Sequence, residues 1–178
     1  MVIFIAKCSS RWHTPLFRFL EEVYGAVDVI YLNKEIRSRQ LPSSGAPLIA
    51  GLCNRVNNLS AKACIFDLEF SVLLAPDEVA SVCKAVSCPT FGVALDDDRF
   101  HDINREVYAG VDGILTHPLC VERYRLIGYR AFDFFPSFEL CRDQNLDKYV
   151  DVHDRDIDVL SYGLLKGDRK WVLEQLED

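Results

Sequence analysis

The chain has 178 residues, of which 49% are hydrophobic and 26% are charged, and this balance is typical of a globular protein rather than a disordered or fibrous one. Twenty basic side chains against 27 acidic ones give a net charge of −7, which disfavours nucleic acid as a partner. No apolar run reaches the roughly 20 residues that a membrane span needs. The residues after Met1 also lack the features of a secretory signal, so we expect a cytoplasmic protein without a membrane span.

The cysteines form an odd set without a CxxC pair, and most of them lie in apolar stretches. This pattern fits neither a disulfide framework nor a zinc site. We therefore expect buried thiols at all seven positions, which are Cys8, Cys53, Cys64, Cys83, Cys88, Cys120 and Cys141.

Short β-like runs alternate along the chain with stretches of helical period. Proline in a first turn and glycine after a last turn mark several helices, as at Pro76 and Gly25. Residues 37–45, which include Pro42, are predicted as a loop. The elements predicted in chain order are a strand at 2–6, a helix at 14–24, a strand at 27–32, a helix from 47, a strand at 63–68, a helix from 76, a strand at 90–95, a helix at 100–107, a strand at 113–116, a helix from 118 and a strand at 130–135.

Each helix is predicted to bury one apolar stripe. In the first helix the stripe comprises Leu16, Phe17, Leu20, Val23 and Tyr24, and in the helix at 100–107 it comprises Phe100, Ile103 and Val107. Parallel strands need crossover connections, which helices of this length supply. The predicted fold is α/β, a doubly wound and mostly parallel sheet flanked by helices.

The predicted site lies at the carboxyl ends of the strands, where doubly wound sheets bind their ligands. In the turn after the first strand, a neutral His13 could take the proton from an acceptor hydroxyl, and Trp12 could stack on a sugar face. The alternative interpretation of His13 is a surface histidine beside a helix cap. His117 occupies a similar position but also suits the start of a helix.

Three consecutive aspartates, Asp96, Asp97 and Asp98, follow the predicted strand at 90–95. Their oxygens suit Mg²⁺ or Mn²⁺, but acids are also favoured at a helix N-terminus. The third interpretation is contact with an acceptor, for which Asp97 is the preferred ligand, and Asp97 and His13 are the two predicted catalytic residues. Our main interpretation assigns no metal and no cofactor. The other candidate acceptor contacts are Arg11, Trp12, Glu69, Asp96, Asp98, Arg99 and His117.

Three segments together resemble the CgeB-type (spore maturation protein B-like) glycosyltransferases. They are the strand end with DDD-Arg-Phe at 95–100, DGILTHPLCVERYRLIGYRAFDFFPSF at 112–138 and DIDVLSYGLLKGDRKWVLEQLE at 156–177. A typical family member has the GT-B fold, with an acidic pair after a strand of the first of two Rossmann-like domains. The second domain begins with a DVsFvGs-type strand. The resemblance covers roughly the last half of the chain.

The resemblance implies that the chain is the acceptor-side half of an enzyme that transfers a sugar from a nucleotide sugar to a hydroxyl. Residues 1–138 would be the acceptor-side domain and 139–155 a linker, and 156–178 would begin a truncated donor-binding domain or form a tail packed on the first. The acceptor would be a glycan, a protein or a small molecule, and we expect this chain alone to be inactive. Residues implied to contact the donor phosphates are Gly163, Lys166, Gly167 and Arg169.

Two alternatives involve different chemistry. One is a metal-dependent single-domain transferase that uses Asp96, Asp97 and Asp98, and the other is a non-catalytic α/β module that binds a glycan or a protein in the same cleft. Neither a GxGxxG nor a Walker lysine motif occurs, and the chain also lacks GxSxG and HExxH. Dinucleotide oxidoreductases, P-loop enzymes, α/β-hydrolases and zincins are therefore disfavoured.

Overall fold

The structure is a computed structural model that describes residues 1–10, 13–68, 73–94 and 97–134, without the side chains of Pro15, Asp97, Asp98 and Arg99. Among these residues, no helix combines the length and the apolar character that crossing a membrane requires. The elements in chain order are β1 (Val2–Ala6), α1 (His13–Tyr24), β2 (Val27–Tyr31), α2 (Leu32–Arg37), α3 (Gly45–Asn58), β3 (Ala63–Asp67), α4 (Pro76–Ala85), β4 (Thr90–Ala94), α5 (Asp97–Val107), β5 (Gly113–Thr116), α6 (Pro118–Leu126) and β6 (Ala131–Asp133).

The strands form one parallel sheet of order β2-β1-β3-β4-β5-β6. This arrangement confirms the predicted α/β fold. The chain leaves β1 toward β2 and leaves β3 toward β4, which is the opposite direction along the sheet. The connections that follow β1 and β3 therefore diverge at the carboxyl edge of the sheet, and this divergence is the topological switch point of the fold.

Helices cover both faces of the sheet because strand side chains alternate between the faces. Val2 and Phe4 pack in one cluster with Leu16 and Leu20 of α1. Ile3 and Ile5 belong to the other cluster, which includes residues of α3, α4 and α6. Every residue of β1 is buried, as expected for a central parallel strand covered on both sides.

Several helix boundaries differ from the predicted ones. The helix α2 was not predicted, although Leu32, Glu35 and Ile36 have the spacing of one helical stripe. The helix α3 begins at Gly45 instead of Pro47, and α1 begins one residue before Thr14. The predicted glycine at the end of α1 is confirmed, because Gly25 has a φ of +85° and its N–H donates to Glu21 O at 2.8 Å.

The apolar stripe predicted for α1 is wrong at its C-terminal end. Leu16 and Leu20 are buried, but Val23 is 55% exposed and Tyr24 is 41% exposed. Helical periodicity identifies the apolar side of α1 along its whole length. The sheet covers this side at Leu16 and Leu20 but not at the last turn.

The buried stripe of α5 is polar, which the sequence analysis did not predict. Ile103 is 50% exposed, whereas His101, Asn104 and the following Tyr108 are buried. The Tyr108 hydroxyl donates to Val93 O and accepts from the Leu68 N–H, both at 2.9 Å. These bonds satisfy backbone groups near the ends of β3 and β4, so a polar stripe is stabilised in the core.

The cysteines are buried or half-buried in the described residues with one exception. Cys8 is exposed, because it lies in the turn after β1, and the prediction that every thiol is buried is wrong there. Burial raises the pKa of the Cys83 thiol to about 11 and raises that of Cys64 well above the ordinary value. Cys141 lies outside the described residues.

These environments predict which thiol reacts with an aromatic disulfide reagent in the folded chain at pH 8. The thiolate is the reactive form, so an exposed thiol reacts ahead of buried thiols with raised pKa values. We expect Cys8→Ser to remove one rapidly reacting equivalent and Cys83→Ser to leave the rapid phase unchanged. Stopped-flow absorbance measures both, and a rapid phase that persists undiminished in Cys8→Ser would contradict the exposure of Cys8.

Candidate functional site

The ends of three neighbouring strands meet at the carboxyl edge of the sheet. The register places Ala6 opposite Tyr31 on one side and opposite Asp67 on the other. Backbone pairing continues past the strands, because the Asn33 N–H donates to Lys7 O at 3.0 Å and the Lys7 N–H donates to Asp67 O at 3.4 Å. The turn after β1 is thereby fixed between the residue that ends β3 and the start of α2.

His13 connects this turn to β3 and is only 1% exposed. Its Nδ1 accepts from the Ser10 N–H at 3.1 Å, which leaves the ring proton on Nε2. Nε2 then donates to Asp67 Oδ2 at 2.8 Å. The interaction joins residues 54 positions apart in sequence. It therefore holds the β1 turn and the start of α1 against the end of β3.

Aromatic rings complete the environment of His13. The imidazole lies edge-on to Phe4 with ring centroids 4.9 Å apart, and it is stacked on Tyr31 at 5.9 Å. The Phe17 centroid lies 5.6 Å away. The alternative of a surface histidine is therefore wrong. Both ring nitrogens are engaged in hydrogen bonds within the protein, to Ser10 and Asp67. The role of His13 as a base stays a prediction.

A cavity of about 640 Å³, which we call the edge pocket, opens beside this turn. Burial raises the pKa of the Tyr31 phenol, and the neighbouring Cys8 and Asp67 raise it further. The phenol thus remains a hydrogen-bond donor at neutral pH. The edge pocket is lined by Cys8, Ser9, Tyr31, Asn33, Lys34, Arg37 and Ser38.

Four of these lining residues come from a helix that was not predicted. Asn33, Lys34 and Arg37 lie in α2, and Ser38 is its C-cap. The sequence signal for α2 was the helical spacing of its buried residues, Leu32 and Glu35. With these two residues buried, the side chains between them face away from the core. The prediction of a loop at 37–45 is wrong at its two ends, where Arg37 lies in α2 and Gly45 begins α3, and no element was predicted for 33–36.

The structure places His117 apart from His13. His117 is the N-cap of α6, and its Nδ1 accepts from the Leu119 N–H at 3.3 Å. It follows β5, which β3 and β4 separate from β1 in the sheet. The predicted role of His117 at the start of a helix is therefore confirmed. Its contact with an acceptor stays a prediction.

The aspartate triplet falls partly on described backbone. Asp97 is the first residue of α5, which Asp98 and Arg99 continue, so this segment does start a helix. Elsewhere in the described residues, no group of three or more His, Cys, Asp or Glu side chains could hold a metal ion. The remaining predicted site residues lie outside the described residues, and their roles stay predictions: Arg11, Trp12, Glu69, Asp96, Gly163, Lys166, Gly167 and Arg169.

A second charged cluster surrounds Arg55 of α3. The guanidinium donates to both carboxylate oxygens of Asp28, at 2.9 and 3.0 Å, and lies 3.4 Å from Glu35 Oε1. These residues line another cavity of about 550 Å³. This cluster was not predicted, because its members come from three separate elements, β2, α2 and α3. Its two carboxylates outnumber its one guanidinium, whereas the edge pocket is lined by the cations Lys34 and Arg37.

No family model, no curated protein and no solved structure matches this chain.

Proposed function

We propose that this chain is the acceptor-side half of a glycosyltransferase and that the edge pocket holds a hydroxylated acceptor. The observation that carries the proposal is the position of the edge pocket, which adjoins the turn after β1 at the switch point of a parallel sheet. Ligands of doubly wound sheets bind at the carboxyl ends of the strands beside the switch point, and the edge pocket lies there at the ends of β1 and β2. The resemblance of three segments to CgeB-type enzymes supplies the reaction class.

The polar groups of the edge pocket support a sugar-like ligand. Ser9 and Asn33 offer donors and acceptors, and Tyr31 combines a phenol with an aromatic face. Ser38 Oγ already donates to Glu35 O at 3.1 Å, so its lone pairs remain available to accept from a ligand hydroxyl. Mixed donors and acceptors beside an aromatic ring suit a ligand whose own hydroxyls both donate and accept.

The proposed transfer also needs predicted residues that do not line the edge pocket. Gly163, Lys166, Gly167 and Arg169 would contact the diphosphate of the donor, and Asp97 would contact the acceptor at the start of α5. His13 would orient the β1 turn through its bond to Asp67. Closure of a donor-binding domain over this edge would exclude water from the activated sugar.

A second candidate function is a non-catalytic module that binds a glycan at the same edge. The geometry of His13 favours it, because Nδ1 accepts from Ser10 and Nε2 donates to Asp67. A general base needs an available lone pair within reach of the proton that it removes. Binding without turnover requires only the edge pocket.

The test measures binding and transfer separately on the 178-residue chain. Glucose, maltose and N-acetylglucosamine are titrated by calorimetry, and transfer from UDP-glucose, UDP-N-acetylglucosamine and GDP-mannose is followed by mass spectrometry. We expect saccharide binding that Asn33→Ala weakens, with weak affinity for every nucleotide sugar.

The outcomes separate the two candidates. Glycosylated product in a chain extended by a donor-binding domain supports the transferase, and saccharide binding without product from any donor in that extended chain favours the module. Tight binding of a nucleotide sugar to the 178-residue chain, with no saccharide bound, would contradict the acceptor-side assignment.

A further inference from the structure

Two cations border the edge pocket, and no acid in the described residues pairs with them. Lys34 and Arg37 are exposed on α2 and form no ion pair with a described carboxylate. The acid between them in sequence, Glu35, is buried and lies 3.4 Å from Arg55 instead. Lys34 and Arg37 are three residues apart, so they lie on the same face of the helix.

Three other arginines of the described chain have acidic partners, whereas Arg39, Arg123 and Arg130, like Arg37, form no ion pair with a described carboxylate. Arg55 lies 2.9 Å from Asp28, Arg125 lies 2.7 Å from Glu122, and Arg105 lies 3.8 Å from Asp102. In a chain with a net charge of −7, the described lining of the edge pocket includes two cations and no carboxylate, although Asp67 lies near enough to Tyr31 to raise the pKa of its phenol. The edge pocket is therefore a positively charged site in an acidic protein, and an anion there would gain Coulomb attraction from both cations.

The neutral groups around the two cations match the oxygens of a phosphate or a similar anion. A guanidinium offers paired N–H donors and an ammonium offers a point charge, and both form charge-assisted hydrogen bonds with phosphoryl oxygens. Asn33, Ser9 and the Tyr31 phenol add neutral donors. The volume of about 640 Å³ lies within the range of small-molecule sites and exceeds what an isolated phosphate would fill.

We infer that the edge pocket binds a phosphorylated small molecule, with the phosphoryl group on Lys34 and Arg37 and a hydroxylated portion on Asn33, Tyr31 and Ser9. This inference rests on the proposed function and specifies it: the acceptor is a sugar phosphate or a similar phosphomonoester rather than a neutral glycan. No bond is made or broken in this binding step.

Calorimetric titration of the 178-residue chain tests the inference with three probes, which are glucose 6-phosphate, glucose and inorganic phosphate. We expect glucose 6-phosphate to bind about tenfold more tightly than glucose, because its phosphoryl group forms charge-assisted hydrogen bonds with Lys34 and Arg37. Arg37→Gln should weaken glucose 6-phosphate binding about tenfold and leave glucose binding unchanged. Raising the NaCl concentration should weaken only the phosphorylated probes.

Lys62→Gln is the matched control. It removes the same charge as Lys34→Gln at an exposed position, but Lys62 precedes β3 at the amino edge of the sheet. We expect Lys34→Gln to weaken glucose 6-phosphate binding and Lys62→Gln to leave it unchanged. Circular dichroism checks that each variant folds, which we expect because the substituted side chains are exposed.

Failure of the inference differs from failure of the proposed function. Equal affinity for glucose and glucose 6-phosphate, insensitive to Arg37→Gln, would overturn the anion site and leave a neutral acceptor. Inorganic phosphate binding as tightly as glucose 6-phosphate, with no glucose bound, would retain an anion site and contradict the sugar acceptor. If Lys62→Gln weakened glucose 6-phosphate binding as much as Lys34→Gln, the effect would come from the net charge of the protein. That result would overturn the assignment of the anion site to the edge pocket.

Discussion

Gly92→Ala is expected to lower the free energy of unfolding by about 3 kcal/mol. A Cβ atom at Gly92 would lie 2.4 Å from Cγ and 2.5 Å from Cδ1 of the Tyr108 ring. The ring has little freedom to move, because Tyr108 is fully buried and its hydroxyl is bonded to Val93 O and to the Leu68 N–H. Denaturation by guanidinium chloride, followed by circular dichroism, measures the loss.

Gly51→Ala is the matched control for this prediction. Its Cβ would meet Leu41 Cδ2 at 2.9 Å, but that atom is the end of a flexible side chain. Alanine inside α3 also gains up to about 1 kcal/mol of helix propensity, so the net change should be small. In a Tyr108→Leu background the cost of Gly92→Ala should fall by half or more. An unchanged cost there would mean that the ring contact is not its cause.

His13→Ala is expected to lower the free energy of unfolding by about 3 kcal/mol as well. The substitution removes a ring that is 1% exposed and packed against Phe4 and Tyr31. It also leaves Asp67 Oδ2 without its donor at 2.8 Å. Thermal and guanidinium denaturation of the two proteins measure the difference.

His117→Ala provides the comparison, because His117 is a helix cap whose hydrogen bond measures 3.3 Å and its loss should cost no more than about 1 kcal/mol. A double-mutant cycle between His13→Ala and Asp67→Asn should give a coupling free energy above about 1 kcal/mol. The opposite result would be a His13→Ala protein of unchanged stability. That result would contradict the role of His13 in holding the β1 turn against β3.

The strands could be predicted because their signal is local. The run from Val2 to Ala6 is apolar at every position and too short for a helix, which is what burial on both faces of a parallel strand requires. The order of the strands was not predicted, since the register of Val2 opposite both Val27 and Ala63 depends on long-range pairing. Polar core positions such as Asn104 were missed because hydrophobic period cannot show which polar groups are satisfied inside.

The candidate site was predicted only in part. The turn after β1 was chosen from the rule that ligands bind at carboxyl ends, and Cys8 and Ser9 of that turn do line the edge pocket. Lys34 and Arg37 were missed, because α2 is only six residues long and carries no recognisable motif. The bond between His13 and Asp67 joins residues too distant in sequence for any spacing rule to connect them.

Backbone amide NMR of the 178-residue chain during titration with glucose 6-phosphate tests most directly whether the carboxyl edge beside β1 and β2 is the ligand site. We predict that the perturbed amides concentrate at residues 7–10 and 31–38, which surround the edge pocket. Perturbations concentrated instead around Arg55 and Asp28, at the second cavity, would contradict this location.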